Sequence, residues 1–237
     1  LAKEIESMAG KKISRKQLLN EPDEFITTTG RIIHFLQDNR RQAALYGIIV
    51  LAVLAAVFLG YSYLRWEEGK AQAIQQQGLQ IYQEALSGAG NTEKEKEAFK
   101  KALEKFKEAY GVYGRGTIGQ ISQIYIGNCH YGLKEYDAAI QAYSQGLEGP
   151  FRAVAAQSLG YCYEAKGEFA KALENFQKNA EGQASVYQEE GLLGVARCYE
   201  ALNQKPKALE TYQKALAKNP KSKMTEFMQW KVSELKG

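Results

Sequence analysis

A single register governs the second half of the chain. Four alanines, Ala102, Ala139, Ala172 and Ala208, are each followed four residues later by a ring: Phe106, Tyr143, Phe176 and Tyr212. The spacings between the alanines are 37, 33 and 36 residues. Twelve residues before the last three stand Gly127, Gly160 and Ala196, with the apolar Ile126, Leu159 and Val195 beside them. Tyr163 and Tyr199 follow three residues later, and His130 takes that place in the earlier unit. A small residue in each of two segments lets two antiparallel helices approach, and the ring fills the wedge between neighbouring pairs. A helical pattern that recurs at this period predicts stacked helix pairs, each too thin to bury its own apolar face. Four prolines in 237 residues, with abundant Ala, Glu, Lys, Gln and Leu, agree with an all-α chain.

These residues resemble the tetratricopeptide-repeat family. LGYCYEAKGEFAKALENF (Leu159 to Phe176) has that family's glycine in the turn, Gly167, and Phe169 after it. VARCYEALNQKPKALETYQKALAKNP (Val195 to Pro220) follows the same pattern, with Ala215 and Pro220 in place. IGNCHYGLKEYDAAIQAY (Ile126 to Tyr143) carries Lys134 where the turn glycine is usual. The expected units are residues 65–114, 120–151, 153–187 and 189–220, closed by a capping helix within 221–237. In the first unit the second helix fits, whereas the first requires a longer loop. The resemblance implies a protein-binding groove built from the first helix of each unit. By register it would present Ile121, Ile124, Asn128 and Tyr131, then Val154, Gln157 and Tyr161, then Leu193 and Arg197. One subclass grips a C-terminal carboxylate with Lys, Arg and Asn in this groove. Only Asn128 matches that set, and Ile124, Val154 and Gly194 stand where cations would be needed. An apolar, tyrosine-bearing groove suits an extended or helical segment with hydrophobic side chains. The alternative is that part of this surface packs on a neighbouring subunit.

Ahead of the repeats, Gln42 to Leu64 reads QAALYGIIVLAVLAAVFLGYSYL, without a charge. A helix of that length rises roughly 34 Å, enough for a hydrocarbon core of about 30 Å. Arg40 and Arg41 flank one end and Arg65, Glu67 and Glu68 the other, with Tyr46, Tyr61, Tyr63 and Trp66 near the ends. The expectation is a transmembrane helix over 42–64. Between Lys11 and Arg41 there are seven Lys or Arg, against three between Arg65 and Glu95. That bias predicts a cytoplasmic N-terminus and, in a bacterial inner membrane, a periplasmic C-terminal domain. Ala52, Ala56 and Gly60 share a face and would permit close helix–helix contact in lipid. No proline interrupts Gln42 to Ala85, which predicts one helix serving as both anchor and first helix of the first unit. The tail, 1–41, is expected to be disordered over residues 1–20. After it comes an amphipathic helix, capped at Asn20, that would lie on the membrane or dock on a partner; Phe25, Ile32, Ile33 and Leu36 recur on one face.

Composition narrows the function. The net charge is +4, shared between the tail and the C-terminal part, so no electrostatic footprint for nucleic acid exists. Cys129, Cys162 and Cys198 occupy equivalent places in successive units. First helices on the order of 8–10 Å apart or more exceed the roughly 7 Å Cα limit of a disulfide, so all three are read as buried packing residues. His34 and His130 have no Cys or acid at ligand spacing, which leaves no metal site and no cofactor to expect. GVYGRGTIG (Gly111 to Gly119) has no Lys before Thr117 and is read as a flexible connection rather than a phosphate loop. Nothing marks a catalytic set, a small-molecule substrate or an enzyme.

A short cytoplasmic tail, one anchor and a periplasmic repeat domain together are similar to the ancillary subunit of the bacterial Sec translocon. That resemblance implies recruitment of chaperones or client proteins at a membrane exit site. The second reading is an accessory subunit of another inner-membrane complex, such as a respiratory enzyme.

Overall fold

The computed structural model describes residues 24–87, 92–147, 149–182 and 187–237, with side chains from Gly30 onward. The expectations for residues 1–20 and for an Asn20 cap fall outside the described residues. Among those residues every regular element is a helix: α1 Glu24–Asp38, α2 Arg40–Ser87, α3 Thr92–Val112, α4 Gly116–Gly132, α5 Tyr136–Ser144, α6 Arg152–Ala165, α7 Phe169–Ala180, α8 Gln188–Ala201, α9 Lys205–Lys218 and α10 Thr225–Lys236. The chain divides into two compact units, residues 1–62 and 63–237.

In the first unit, α1 passes through Gly30 without a break and ends at Asp38. Asn39 forms a one-residue turn before α2, which then runs 48 residues to Ser87. Gly47, Gly60, Gly69 and Gly78 leave it unbroken, as a cost of about 1 kcal/mol per glycine allows. None of its most apolar stretch is buried, and the helix is long and apolar enough to cross a membrane.

The second unit is held by the alanine–ring register. Ala102, Ala139, Ala172 and Ala208 are all 0% exposed, and so are Phe106, Phe176 and Tyr212. The glycines opposite are required by space. A Cβ at Gly127 would stand 2.5 Å from Tyr143, and one at Gly160 would stand 2.4 Å from Phe176. Phe176 also presses on Gly194 of the following unit, where a Cβ would meet it at 2.5 Å. Burying each such ring contributes roughly 2–3 kcal/mol. Three turns between paired helices use left-handed backbone at one shared position, Lys134 (φ 64), Gly167 (φ 74) and Asn203 (φ 58).

Two expectations change. The first unit does not gain its length as a loop: Gly78 and Phe106, which pack together, lie 28 residues apart, against 16 for Gly127 and Tyr143. Most of the added residues lengthen α2 and α3. The connection expected over 111–119 narrows to residues 113–115, because α3 continues to Val112 and α4 starts at Gly116. Gly119 is needed there, since a Cβ would lie 2.4 Å from the Gly114 carbonyl.

The three cysteines are free and buried, and burial pushes each thiol from its ordinary 9.0 up to about 12. The lysine-rich run of α3 is a solvated face with Glu93–Lys96, Glu97–Lys101 and Lys105–Glu108 pairs. α10 closes the array through the fully buried Met228. The segment leading to α10 is tied down where Glu189 accepts hydrogen bonds from Asn219 and Ser222.

Candidate protein-interaction groove

The first helices of the units, α4, α6 and α8, carry the candidate residues, and the array sorts them into two groups. Ile121, Ile124 and Asn128 on α4 and Val154 on α6 line one cavity of about 300 Å³. Tyr125, Phe151 and Tyr187 complete its wall. Tyr125 stacks on Phe106 (4.8 Å, 14°) and stands edge-on to Tyr82 at 5.4 Å, so one end of the cavity rests on the core of the first unit. The Tyr143 hydroxyl donates to Asn128 Oδ1 at 2.6 Å, which fixes the amide in one orientation. Burial raises the Tyr143 phenol above its ordinary range, so it stays a donor at any physiological pH. Tyr131, one turn beyond Asn128, is 38% exposed and edge-on to Tyr136 at 5.6 Å.

The remaining candidates do not form an open surface. Gln157 is buried, and its Oε1 accepts from Asn179 Nδ2 at 2.9 Å. Leu193 belongs to the core beside Phe176 and Tyr212. Arg197 makes a two-pronged pair with Glu164 (2.7 and 2.8 Å) and lies 5.8 Å over both Tyr161 and Phe176. The hydrogen bonds it donates to Glu164 hold the guanidinium above its already high range, so its role is structural. Tyr161 is set edge-on to Phe176 at 5.3 Å. The equal register of these positions along the chain hides that neighbouring elements close over them. In the first unit of the molecule, Ala52, Ala56 and Gly60 are exposed, with no atom within 4 Å of where a Gly60 Cβ would be.

Register along the first helices alone misses Tyr125, Phe151 and Tyr187. A signal for two of them exists: Phe151 and Tyr187 each immediately precede a first helix, 36 residues apart. Among the described residues no three His, Cys, Asp or Glu side chains gather as a metal site would need.

The profile of the tetratricopeptide repeat matches residues 190–222, which hold most of α8, all of α9 and the turn between them. This stretch is similar to a tetratricopeptide repeat. The tetratricopeptide-like solenoid extends across the helix pairs around it: the apo form of RapI superposes with a TM-score of 0.52 at 19% identity, over 68% of this chain and 45% of that one. A Podosopora anserina structure of putative kinesin light chain nearly identical TPR-like repeats gives 0.49 at 16% identity, covering 73% and 84%. BtubC (BKLC) from P. vanneervenii gives 0.48 at 13%, covering 73% and 82%. No curated protein matches. At 19% identity the likeness to RapI shows the fold alone.

Proposed function

We propose that this protein is a membrane-anchored interaction module whose groove takes an apolar segment of a partner protein. The observation that carries this reading is the cavity between α4 and α6, whose walls are aliphatic and aromatic with one oriented amide, Asn128. Such a site suits two or three hydrophobic side chains with a backbone carbonyl opposite the amide. The uncharged 42–64 stretch is the anchor in this reading. The excess of Lys and Arg before it puts the tail in the cytoplasm and the repeats in the bacterial periplasm. With the resemblance to the ancillary subunit of the Sec translocon, the partners are chaperones or client proteins at the translocon. No residue acts as a catalyst, and no cofactor enters.

The test is purification of the tagged full chain in mild detergent, alongside the Val154→Asp variant. Translocon and chaperone components should co-migrate with the unaltered protein, and the chaperone or client should be lost with the variant. A single stoichiometric oxidoreductase or transporter would overturn the translocon reading in favour of an accessory subunit. For topology, an impermeant thiol probe should label Ser233→Cys and spare Ser14→Cys in cells with a permeabilised outer membrane. Ser233 is exposed, whereas Ser222 is bound to Glu189. Labelling at Ser14 would reverse the orientation.

A further inference from the structure

Helix α1 has an apolar face with nothing over it among the described residues. Ile32 is 55% exposed, Ile33 48%, Phe35 65% and Leu36 46%. At 100° per residue Ile32, Ile33 and Leu36 fall on one arc, with His34 and Asp38 opposite and Phe35 at the flank. Four side chains of this size in water are costly, so the face has an occupant. The chain itself narrows the choice. One residue, Asn39, separates α1 from α2, and at 1.5 Å per residue Ile33 lies within about 14 Å of the first residue of the uncharged stretch. Arg40 and Arg41 open α2 at that junction, and Arg31 stands at the middle of α1. Asn39 Nδ2 donates to the Phe35 carbonyl at 3.1 Å, the same carbonyl that the Asn39 backbone N–H uses, and side-chain back-bonding of this kind bends helices.

We propose that α1 is an in-plane anchor. Ile32, Ile33 and Leu36 sit among the acyl chains at the surface of the cytoplasmic leaflet, with Arg31, Arg40 and Arg41 on anionic headgroups and Asn39 as the bend. A helix with one apolar and one polar face, flanked by arginines and tethered at the interface, has the chemistry of a monotopic membrane element. Tethering by the span removes the need for high intrinsic affinity, which one short apolar face would not supply alone. The inference rests on the reading of 42–64 as a span.

The test places a nitroxide at Ile33→Cys, His34→Cys or Leu54→Cys in the full chain, reconstituted in phosphatidylethanolamine–phosphatidylglycerol vesicles. All three positions are exposed, and the buried native thiols stay unlabelled. Collision with oxygen reports lipid, and collision with a water-soluble nickel chelate reports solvent. The ratio of oxygen to nickel collisions should invert between 33 and 34, with 54 oxygen-dominated. Nickel access at both 33 and 34, with 54 still in lipid, overturns the in-plane helix and leaves the span intact. Shielding of 33 from both reagents assigns the face to a protein partner or a second copy and overturns the proposal. Nickel access at 54 removes the span reading itself.

Discussion

The two halves of the repeat groove share one fold and treat charge differently. Towards the C-terminus each first helix sends an acid to a cation one unit on: Glu164 to Arg197, and Glu200 to Lys231 at 2.6 Å. Glu200 also accepts from the Tyr212 hydroxyl at 2.6 Å, so the last ring, the last first helix and the cap share one carboxylate. Towards the N-terminus the position equivalent to Glu164 is Tyr131, and the one equivalent to Arg197 is Tyr161. No ion pair bridges α4 and α6 at that level among the described residues, and beside it lies the apolar cavity. Ion pairs that are only partly exposed tie neighbouring helices together, while their absence leaves an apolar floor for another chain. The same repeat thus yields a stapled end and a receptive end.

The comparison breaks most visibly at one apolar residue of each half. Leu193→Ala, in the stapled half, should cost about 2–5 kcal/mol of stability by urea unfolding. Val154→Ala, in the receptive half, should cost about 1 kcal/mol or less and instead weaken partner binding. Similar losses at both sites would erase the distinction. Glu164→Ala should cost about 1–2 kcal/mol, because it strands a partly buried guanidinium between two rings; the discount from a fully buried pair reflects exposure of about a third on Arg197. If stability is unchanged, the staple is ornamental.

The thiols provide a control spread evenly over both halves. Burial raises all three from 9.0 to about 12, so the stability they favour is complete below about pH 9 and is lost as pH rises towards about 12. Urea midpoints at successive alkaline pH values should fall, and replacing all three by Ala should flatten that fall. The smallest effect is local: Lys134→Gly should stabilise by about 0.5–1 kcal/mol, since a lysine at φ 64 carries strain that glycine does not. Asn203→Gly should gain less, because asparagine tolerates that conformation.

The alanine–ring register was legible because packing demands it: a small residue under a ring has few substitutes. The position of the turn at Lys134 was legible from alignment, and its left-handed backbone followed although the side chain disfavours it. The long α2 was legible from the absence of proline between Gln42 and Ala85, whereas the repeat register, with 16 residues between small residue and ring in the next unit, left its extra turns to be read as a longer loop. Of the groove, Ile121, Ile124, Asn128 and Val154 converge on one cavity, whereas Gln157, Leu193 and Arg197 do not. Register along one helix states which residues face the same side. It does not state which side the next unit and the cap will cover, and that depends on long-range pairs such as Glu200–Lys231.

The ring of Phe176 is pressed by glycine on two sides, Gly160 on its own unit and Gly194 on the next. It therefore behaves as a shim of fixed thickness. Its width sets the angle between α6 and α8, and no side chain on either face can yield to change it. Among the described glycines, the Tyr143 ring is pressed by Gly127 alone. A partner that strains the array would find compliance at Tyr143 and a hard stop at Phe176, so any widening of the groove on loading would be confined to the end that holds the cavity.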